Sequence, residues 1–466
     1  MTLGAWSPGR RLLTAGLVFM VTITAFEGLA VPTVLPATLA EFGGLPLYGW
    51  AFSGFFLASL VGITVAGLEA DRRGVTAPLV MGALLFAAGL LVAGLAASMA
   101  FVVVGRVIQG LGAGAIFSIA YVIIGRGYAP AAQPRMIAIY SSAWVIPGLV
   151  GPALAGYVAQ EASWRWAFLA LVPWLPLAVL AMVGPMRGIP APGAEKAGVE
   201  RRSAAVVDAI RLAAGAGLVL GALTIGHLLL GAAMVLGGIL VAAAPLKRLL
   251  PPGALTAAPG RGAAVAVVAL VSFTFLGAEA FVPLAVSSAR DAGTVAGGLA
   301  LTAAAVTWAT GSWLQARFAE RGSRKGLMVA GAALIAIGIA GEAAVPVSSV
   351  PVWFAAVAWA VAGLGMGLAY STSTLFVIET AEPGAEGAAS AAMQLANTLG
   401  VAIGTGVAGG VVAFGAVGLG IAPAIAIADL LLVFVGILTL AVIGRVPDAR
   451  PRPVGHEPSP VSSPGL

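Results

Sequence analysis

The chain has no cysteine and only two histidines, His227 and His456, among its 466 residues. The first absence excludes disulfides, thiolate metal sites and thiol nucleophiles, and the second leaves almost nothing for a histidine-built metal site. Charge is scarce too: Asp, Glu, Lys and Arg make up 9% of the residues, against 60% that are apolar. No water-soluble globular domain of this length shows that balance, so the chain reads as a polytopic membrane protein whose main surroundings are the lipid bilayer. A GxxxxGK loop, which would cradle the phosphates of ATP, does not occur, and direct ATP coupling goes with it. An intramembrane enzyme would need a nucleophile with a base or a metal cluster, and these residues supply neither. No cofactor is expected. The net charge of +6 does not point to nucleic acid either, because the basic residues lie in short loops between apolar runs rather than on one continuous face.

A membrane span needs about 20 apolar residues. Fourteen runs meet that length: 12–36, 48–70, 76–98, 100–126, 137–160, 166–185, 207–226, 228–246, 263–286, 293–316, 326–345, 351–378, 387–413 and 420–444. The N-terminus has the basic start of a signal peptide, but its apolar run is too long for one, so it is expected to stay as the first span. Taking alternate loops as cytoplasmic collects nearly every arginine and lysine on one side and leaves Arg165 and Arg290 alone on the other. That asymmetry implies both termini in the cytoplasm of a bacterial-type inner membrane. It also requires an even number of crossings between residues 207 and 246, which favours a two-span hairpin there over a pair of helices that never cross. The tail after Arg445 is rich in proline and serine and carries no apolar period, so it is expected to be disordered and cytoplasmic.

The chain repeats itself. GLGAGAIFSIAYVII from Gly110 recurs as GLGMGLAYSTSTLFVI from Gly363, an offset of 363 minus 110, or 253. LVMGALLFAAGLLVAGLA from Leu79 resembles LMVAGAALIAIGIAGEAA from Leu327, and an acid precedes a proline near the start of each half, at Glu27 and Glu279. Transporters built from two related bundles show this kind of symmetry, with substrate handled between the halves near the bilayer midplane. The expected fold is all-α: a six-helix bundle over 1–186, linkers with a two-helix insertion over 187–262, a second six-helix bundle over 263–446, and the tail 447–466.

At this point the chain resembles the major facilitator superfamily, and within it the fourteen-helix drug:proton antiporter branch. GLEADRRG between spans 2 and 3 is similar to the family's cytoplasmic signature, with Gly67, Asp71, Arg72 and Gly74 in place, although Val75 and Thr76 stand where two basic residues are usual. Asp71 is expected at the positive end of span 3, latching it to a basic group of the neighbouring loop. A degenerate copy, RFAERGSRK, carries Glu320 and Arg321. In span 5, PGLVGPALAG resembles the antiporter motif through Gly148, Gly151, Pro152 and Gly156: small residues allow close backbone approach and the proline kinks the helix. In span 1, Glu27 and Pro36 fill a pattern where the family usually has aspartate. In span 13, Ser390, Gln394 and Asn397 match a polar-then-glycine pattern that serves substrate or interhelical hydrogen bonding equally well. Span 4 matches the RxxQGxGxG signature at Arg106, Gln109, Gly110, Gly112 and Gly114.

The repeat partner of Arg106 is uncharged: 106 plus 253 is Trp359. An arginine within hydrocarbon costs several kcal/mol unless it meets an acid or a polar cavity. By helix rise, Arg106 lies roughly 9 Å below the outer end of its span, Glu27 roughly 14 Å and Glu279 roughly 10 Å. The resemblance implies that these three share the central cavity and carry proton coupling, with Gln109, Gln394, Asn397 and Trp359 lining the substrate space. Snorkelling to the interface is the other reading of Arg106. Asp429, in a span peripheral in the family, is left between a packing role and a functional one. The function implied is alternating-access export of hydrophobic, often cationic small molecules in exchange for protons, by a monomer. The rivals are an exporter of a lipid or endogenous metabolite, and a transport-inactive receptor or scaffold.

Overall fold

The computed structural model describes residues 6–7, 10–129, 132–189, 199–225, 227–318, 322–382 and 386–448. Among the described residues every long regular element is a helix. The first group comprises α1 (Arg11–Phe42), α2 (Tyr48–Arg73), α3 (Thr76–Gly94), α4 (Met99–Gly127), α5 (Gln133–Ser142), α6 (Val145–Glu161), α7 (Trp166–Leu169) and α8 (Trp174–Met186). Then come α9 (Val199–Ala222) and α10 (Leu228–Leu249). The last group is α11 (Arg261–Glu279), α12 (Val282–Ser287), α13 (Gly293–Phe318), α14 (Arg324–Glu342), α15 (Phe354–Glu379), α16 (Glu386–Leu419) and α17 (Ile421–Ile443). With α5–α6, α7–α8 and α11–α12 each counted as one broken crossing, 14 helices among the described residues are long and apolar enough to span a membrane. Backbone polar groups in hydrocarbon must be satisfied within the segment, which is why runs this apolar become helices rather than open strands. The expected tail falls mostly, and Glu320 and Arg321 fall entirely, outside the described residues.

Glycines set how closely the helices pack. A Cβ on Gly110 would stand 2.1 Å from the Phe55 carbonyl oxygen, and one on Gly114 2.2 Å from that of Ser59. In the repeat, Gly363 and Gly367 meet the Ala304 and Trp308 carbonyl oxygens at 2.3 Å. The duplicated GxGxG run is therefore the seam that lets α4 lie on α2 and α15 lie on α13, backbone against backbone.

Two of the broken crossings are explained by proline, which removes one backbone donor and pushes away the carbonyl four residues earlier. Pro147 frees the carbonyl of Ala143 at the α5–α6 break, and Thr22 Oγ1 donates to it at 3.5 Å. The sequence points to Pro152 as the kink, but that residue sits inside an unbroken α6. In the second group Pro283 follows the α11–α12 break, where the Ala280 carbonyl accepts from the Tyr48 hydroxyl at 3.1 Å.

α9 and α10 form the expected hairpin. They pack on each other, with the backbones at Gly215 and Gly238 so close that a Cβ on either would lie 2.5–2.6 Å from the other's carbonyl oxygen. α9 also rests on α2. Asp208 and Arg248 pair at 3.1 Å near the ends away from the turn.

The helix ends define two faces. Arg72, Arg73, Arg126, Arg248, Arg324, Lys325 and Arg445 gather at one, called here the basic face. At the far face Arg165 grips both oxygens of Glu41 at 2.8–2.9 Å and the Ala96 carbonyl, while Arg290 donates to the carbonyls of Val345, Val347 and Val350.

The two groups meet through α2 on α16 and α6 on α13. Among the described residues three side-chain hydrogen bonds join them, and all lie toward the far face: Tyr48 to the Ala280 carbonyl, Ser53 Oγ with Thr405 Oγ1 at 2.9 Å, and Thr294 Oγ1 to the Gly156 carbonyl at 2.7 Å. Gly49 and Gly409 touch backbone to backbone beside them. The far side is closed. Because the chain has no cysteine, this closure is readable by thiol chemistry: in a Ser53→Cys/Thr405→Cys variant, mild oxidation is expected to form a cross-link and abolish most maleimide labelling. Both thiols staying fully reactive after oxidation would show that the far side does not hold this contact.

Candidate functional site

Three helices bring the site together. Glu27 comes from the middle of α1, Arg106 and Gln109 from one turn of α4, and the Ala51 carbonyl and Phe55 ring from one turn of α2. The spacings of three and four residues put each pair on a single helix face. Arg106 Nη1 donates to Glu27 Oε1 in a direct ion pair, and also to Gln109 Oε1 at 3.2 Å. Arg106 Nε donates to the Ala51 carbonyl at 3.0 Å, and the guanidinium lies over the Phe55 ring at 4.1 Å. Gln109 Nε2 closes the triangle by donating to the same Glu27 oxygen at 3.2 Å. The arginine is 2% exposed and the glutamate 0%, so Arg106 does not snorkel.

A buried ion pair is tolerated only when geometry and extra hydrogen bonds offset desolvation. Here the arginine has an acid, an amide, a backbone carbonyl and an aromatic face; the last contributes about 2 kcal/mol when desolvated. Glu27 is less fully engaged. Its Oε1 accepts two bonds, whereas Oε2 is buried with no hydrogen-bond partner. That free oxygen is the place where a proton, or the cationic part of a ligand, finds an acceptor without first displacing another donor.

The second half carries no such ion. Trp359 stands in place of Arg106 and stacks on Phe275 with ring centroids 4.9 Å apart. Trp308, at 55 plus 253, packs edge-on against Phe275 at 5.5 Å, where Phe55 covers Arg106 in the first half. An aromatic stack thus replaces the charged cluster. Trp359 is fully buried in it, so the expectation that it lines a substrate space does not hold in this conformation.

The other expected residues fall at several places. Glu279 ends α11 at the break before Pro283; it is half-buried and makes no hydrogen bond or ion pair among the described residues, so it does not join Arg106 here. Asn397 accepts from Ser272 Oγ at 2.7 Å, the interhelical role that its pattern also allowed. Gln394 is exposed on α16. Gly148, Gly151 and Gly156 face other helices at close range: Ala305 at 3.3 Å, the Phe26 ring at 3.5 Å and the Thr294 carbonyl at 2.7 Å from where each Cβ would sit. Pro152 lies against Gly298 of α13, where a Cβ would be 2.4 Å from the proline carbonyl. The motif forms the seam between the two groups of helices.

Asp71 belongs to the last turn of α2, not to the start of α3. α2 runs on through Arg73 and stops at Gly74, whose φ of 84° is the left-handed turn that glycine allows. The partner of Asp71 is Arg126 at the end of α4, in a direct ion pair, and Arg126 also donates to the Ala70 carbonyl at 3.3 Å. Arg72 takes no part in this: it points outward and pairs with Glu69 at 3.6 Å. In the repeat, 71 plus 253 is Arg324 and 126 plus 253 is Glu379, and these two also form a direct ion pair. The polarity is reversed at the same place in the fold. Simple addition of the offset exposes this second pair, which the motif comparison alone passes over.

A probable multidrug-efflux transporter of Mycobacterium tuberculosis is 28% identical over 427 residues, covering 87% of each chain. Among solved structures, a peptide transporter superposes with a TM-score of 0.66 at 15% identity, over 93% of this chain and 94% of that one. A bacterial homologue of the human lysosomal transporter Spinster, in an inward-facing and unoccupied conformation, reaches 0.65 at 15% identity, over 94% and 98%. These likenesses show the fold, and the Mycobacterium relative points to transport rather than enzymatic catalysis. The model of the Major Facilitator Superfamily matches residues 16–405, and to that family of membrane transporters this chain belongs.

Proposed function

We propose that the protein is a proton-coupled exporter of hydrophobic, often cationic small molecules, working by alternating access in an inner membrane with both termini and the basic face in the cytoplasm. The observation that carries this reading is Glu27: fully buried among α1, α2 and α4, held through one oxygen by Arg106 and Gln109, and free at the other. As a carboxylate it pairs with Arg106; as an acid it releases that pair. A cationic substrate and a proton therefore compete for the same group, which is the physical requirement for exchange. Arg106 keeps the empty site neutral overall and returns to Glu27 when the proton leaves. Multidrug-efflux relatives at low identity are consistent with export, and the closed far side corresponds to a cytoplasm-facing conformation.

Within this proposal the chain divides at residues 186, 262 and 446 into two six-helix bundles, the α9–α10 insertion and a tail, and acts as a monomer. Glu279, at a helix break near the far side, is the second acid available to the coupling when the bundles rock. Asp71 with Arg126, and Arg324 with Glu379, tie helix ends within each bundle at the face that must close for export.

Two experiments follow. In proteoliposomes with an imposed pH gradient, across a panel of lipophilic cations, neutral drugs and lipids, wild-type efflux of cations should rise with the gradient. Glu27→Gln should remove that dependence and lower gradient-driven efflux by roughly 100-fold, the range expected for loss of a positioned proton carrier. Gradient-independent transport that survives Glu27→Gln and Glu279→Gln together would rule out proton coupling. Preference for neutral lipids over cations would favour the lipid exporter instead.

For the latch, Asp71→Arg should slow transport with little change in thermal stability, since exposed ion pairs contribute about 0–1 kcal/mol. Adding Arg126→Asp should restore much of the rate, because the repeat already works with that polarity. A double variant no faster than the single one would show that Asp71 has some other role.

A further inference from the structure

A pair of carboxyls lies outside the site described so far. Glu342, the last residue of α14, is 1% exposed, and neither of its carboxylate oxygens has a hydrogen-bond partner. Asp429, in the far-side half of α17, is 2% exposed, and its Oδ2 is likewise without one. The two belong to helices packed side by side. The register supports this. A Cβ on Gly436 of α17 would touch Ala336 of α14 at 3.5 Å and Thr274 of α11 at 4.0 Å. The helices α14 and α17 run in opposite directions, so moving 436 minus 429, or seven residues, toward the far face brings Asp429 level with Ala343, next to Glu342.

Nothing nearby neutralises them. The elements packed on these two helices are α11, α15 and α16. Arg261, Arg324, Lys325, Glu379 and Arg445 all stand at the basic face, at the other end of the helices, as does Glu386 at the start of α16. Glu279 is near the right level, but it makes no hydrogen bond or ion pair with either acid among the described residues. Arg290 binds the segment that follows α14, but its donors go to the carbonyls of Val345, Val347, Ser348 and Val350, and it forms no ion pair with either acid among the described residues. The surrounding side chains, Ile335, Ile339, Val345, Ile425, Ala428 and Leu432, are buried and apolar.

Two unpartnered carboxylates cannot both stay charged in such a place. A metal ion needs about six oxygen ligands in the hard-cation case, and among the described residues no three acids or histidines are grouped to hold one. We propose that Glu342 and Asp429 form a second proton-binding site, between α14 and α17 in the far-side half of the C-terminal helices, separate from Glu27 and holding one proton between them. It does not rest on the transport reading. It gives the protein a protonatable position inside the second group of helices, where a proton decides whether α14 and α17 attract or repel.

The test is infrared spectroscopy of the full chain in lipid nanodiscs at neutral pH, reading the carbonyl stretch of protonated carboxylic acids. Against wild type, Glu342→Gln/Asp429→Asn should lose the signal of one carboxylic acid, and Glu27→Gln should leave that signal in place. Each single variant should keep it, because either carboxyl alone in this setting retains the proton. A double variant with the wild-type signal would overturn the proposal. So would a double variant that fails to fold, because neutral isosteres imitate the protonated pair and are tolerated only if the pair carries a proton.

Discussion

A guanidinium cannot be left unpaired inside a membrane protein, and much of this structure follows from that constraint. Arg106 is sealed between α1, α2 and α4, and each of those helices supplies one of its partners: the Glu27 carboxylate, the Ala51 carbonyl with the Phe55 ring, and the Gln109 amide. The carbonyl can be reached only because α4 lies directly on α2. Gly110 and Gly114 make that approach possible, one and two turns further along the same helix. The glycine seam and the ion are one construction. Without the seam the arginine loses its backbone partner; without the arginine, Glu27 is a lone buried acid.

The second half shows what the same scaffold does when the ion is absent. Its seam is intact at Gly363 and Gly367, yet the space is filled by Phe275, Trp308 and Trp359. Apolar stacking needs no counter-charge and does not respond to a proton. The two bundles therefore differ in kind at their matching positions, one charged and one apolar, while their helix ends at the basic face are tied by ion pairs of opposite polarity. Duplication has preserved the backbone contacts and let the chemistry diverge.

Most of the architecture was legible in the sequence because the bilayer imposes it. Span length, loop charge and the 253-residue repeat are one-dimensional signals, and fourteen helices follow from them. The pairing of Arg106 with Glu27 was legible for the same reason: a buried ion demands an acid at its own depth, and helix rise gives depth. Lateral direction is not encoded that way. Depth together with the family resemblance placed Glu279 beside Arg106, but the break before Pro283 leaves it at the end of α11 with no hydrogen-bond or ion-pair partner among the described residues. Trp359 turned inward onto Phe275 because a stacked aromatic buries more than an exposed one. Asp71 belongs to the end of α2 because Gly74, not Asp71, is the residue able to turn the chain. The helix breaks before Pro147, where Thr22 donates to the carbonyl that Pro147 frees, while Pro152 stays inside α6.

In the proposed exchange, Glu27 is the point where helix packing becomes chemistry, and its ionisation is the decisive event. Proton release on substrate binding reads that event directly. In weakly buffered solution at mildly acidic pH, a lipophilic cation added to the purified protein should liberate close to one proton per bound molecule from wild type and almost none from Glu27→Gln. Equal release from both would mean that substrate and proton do not meet at Glu27.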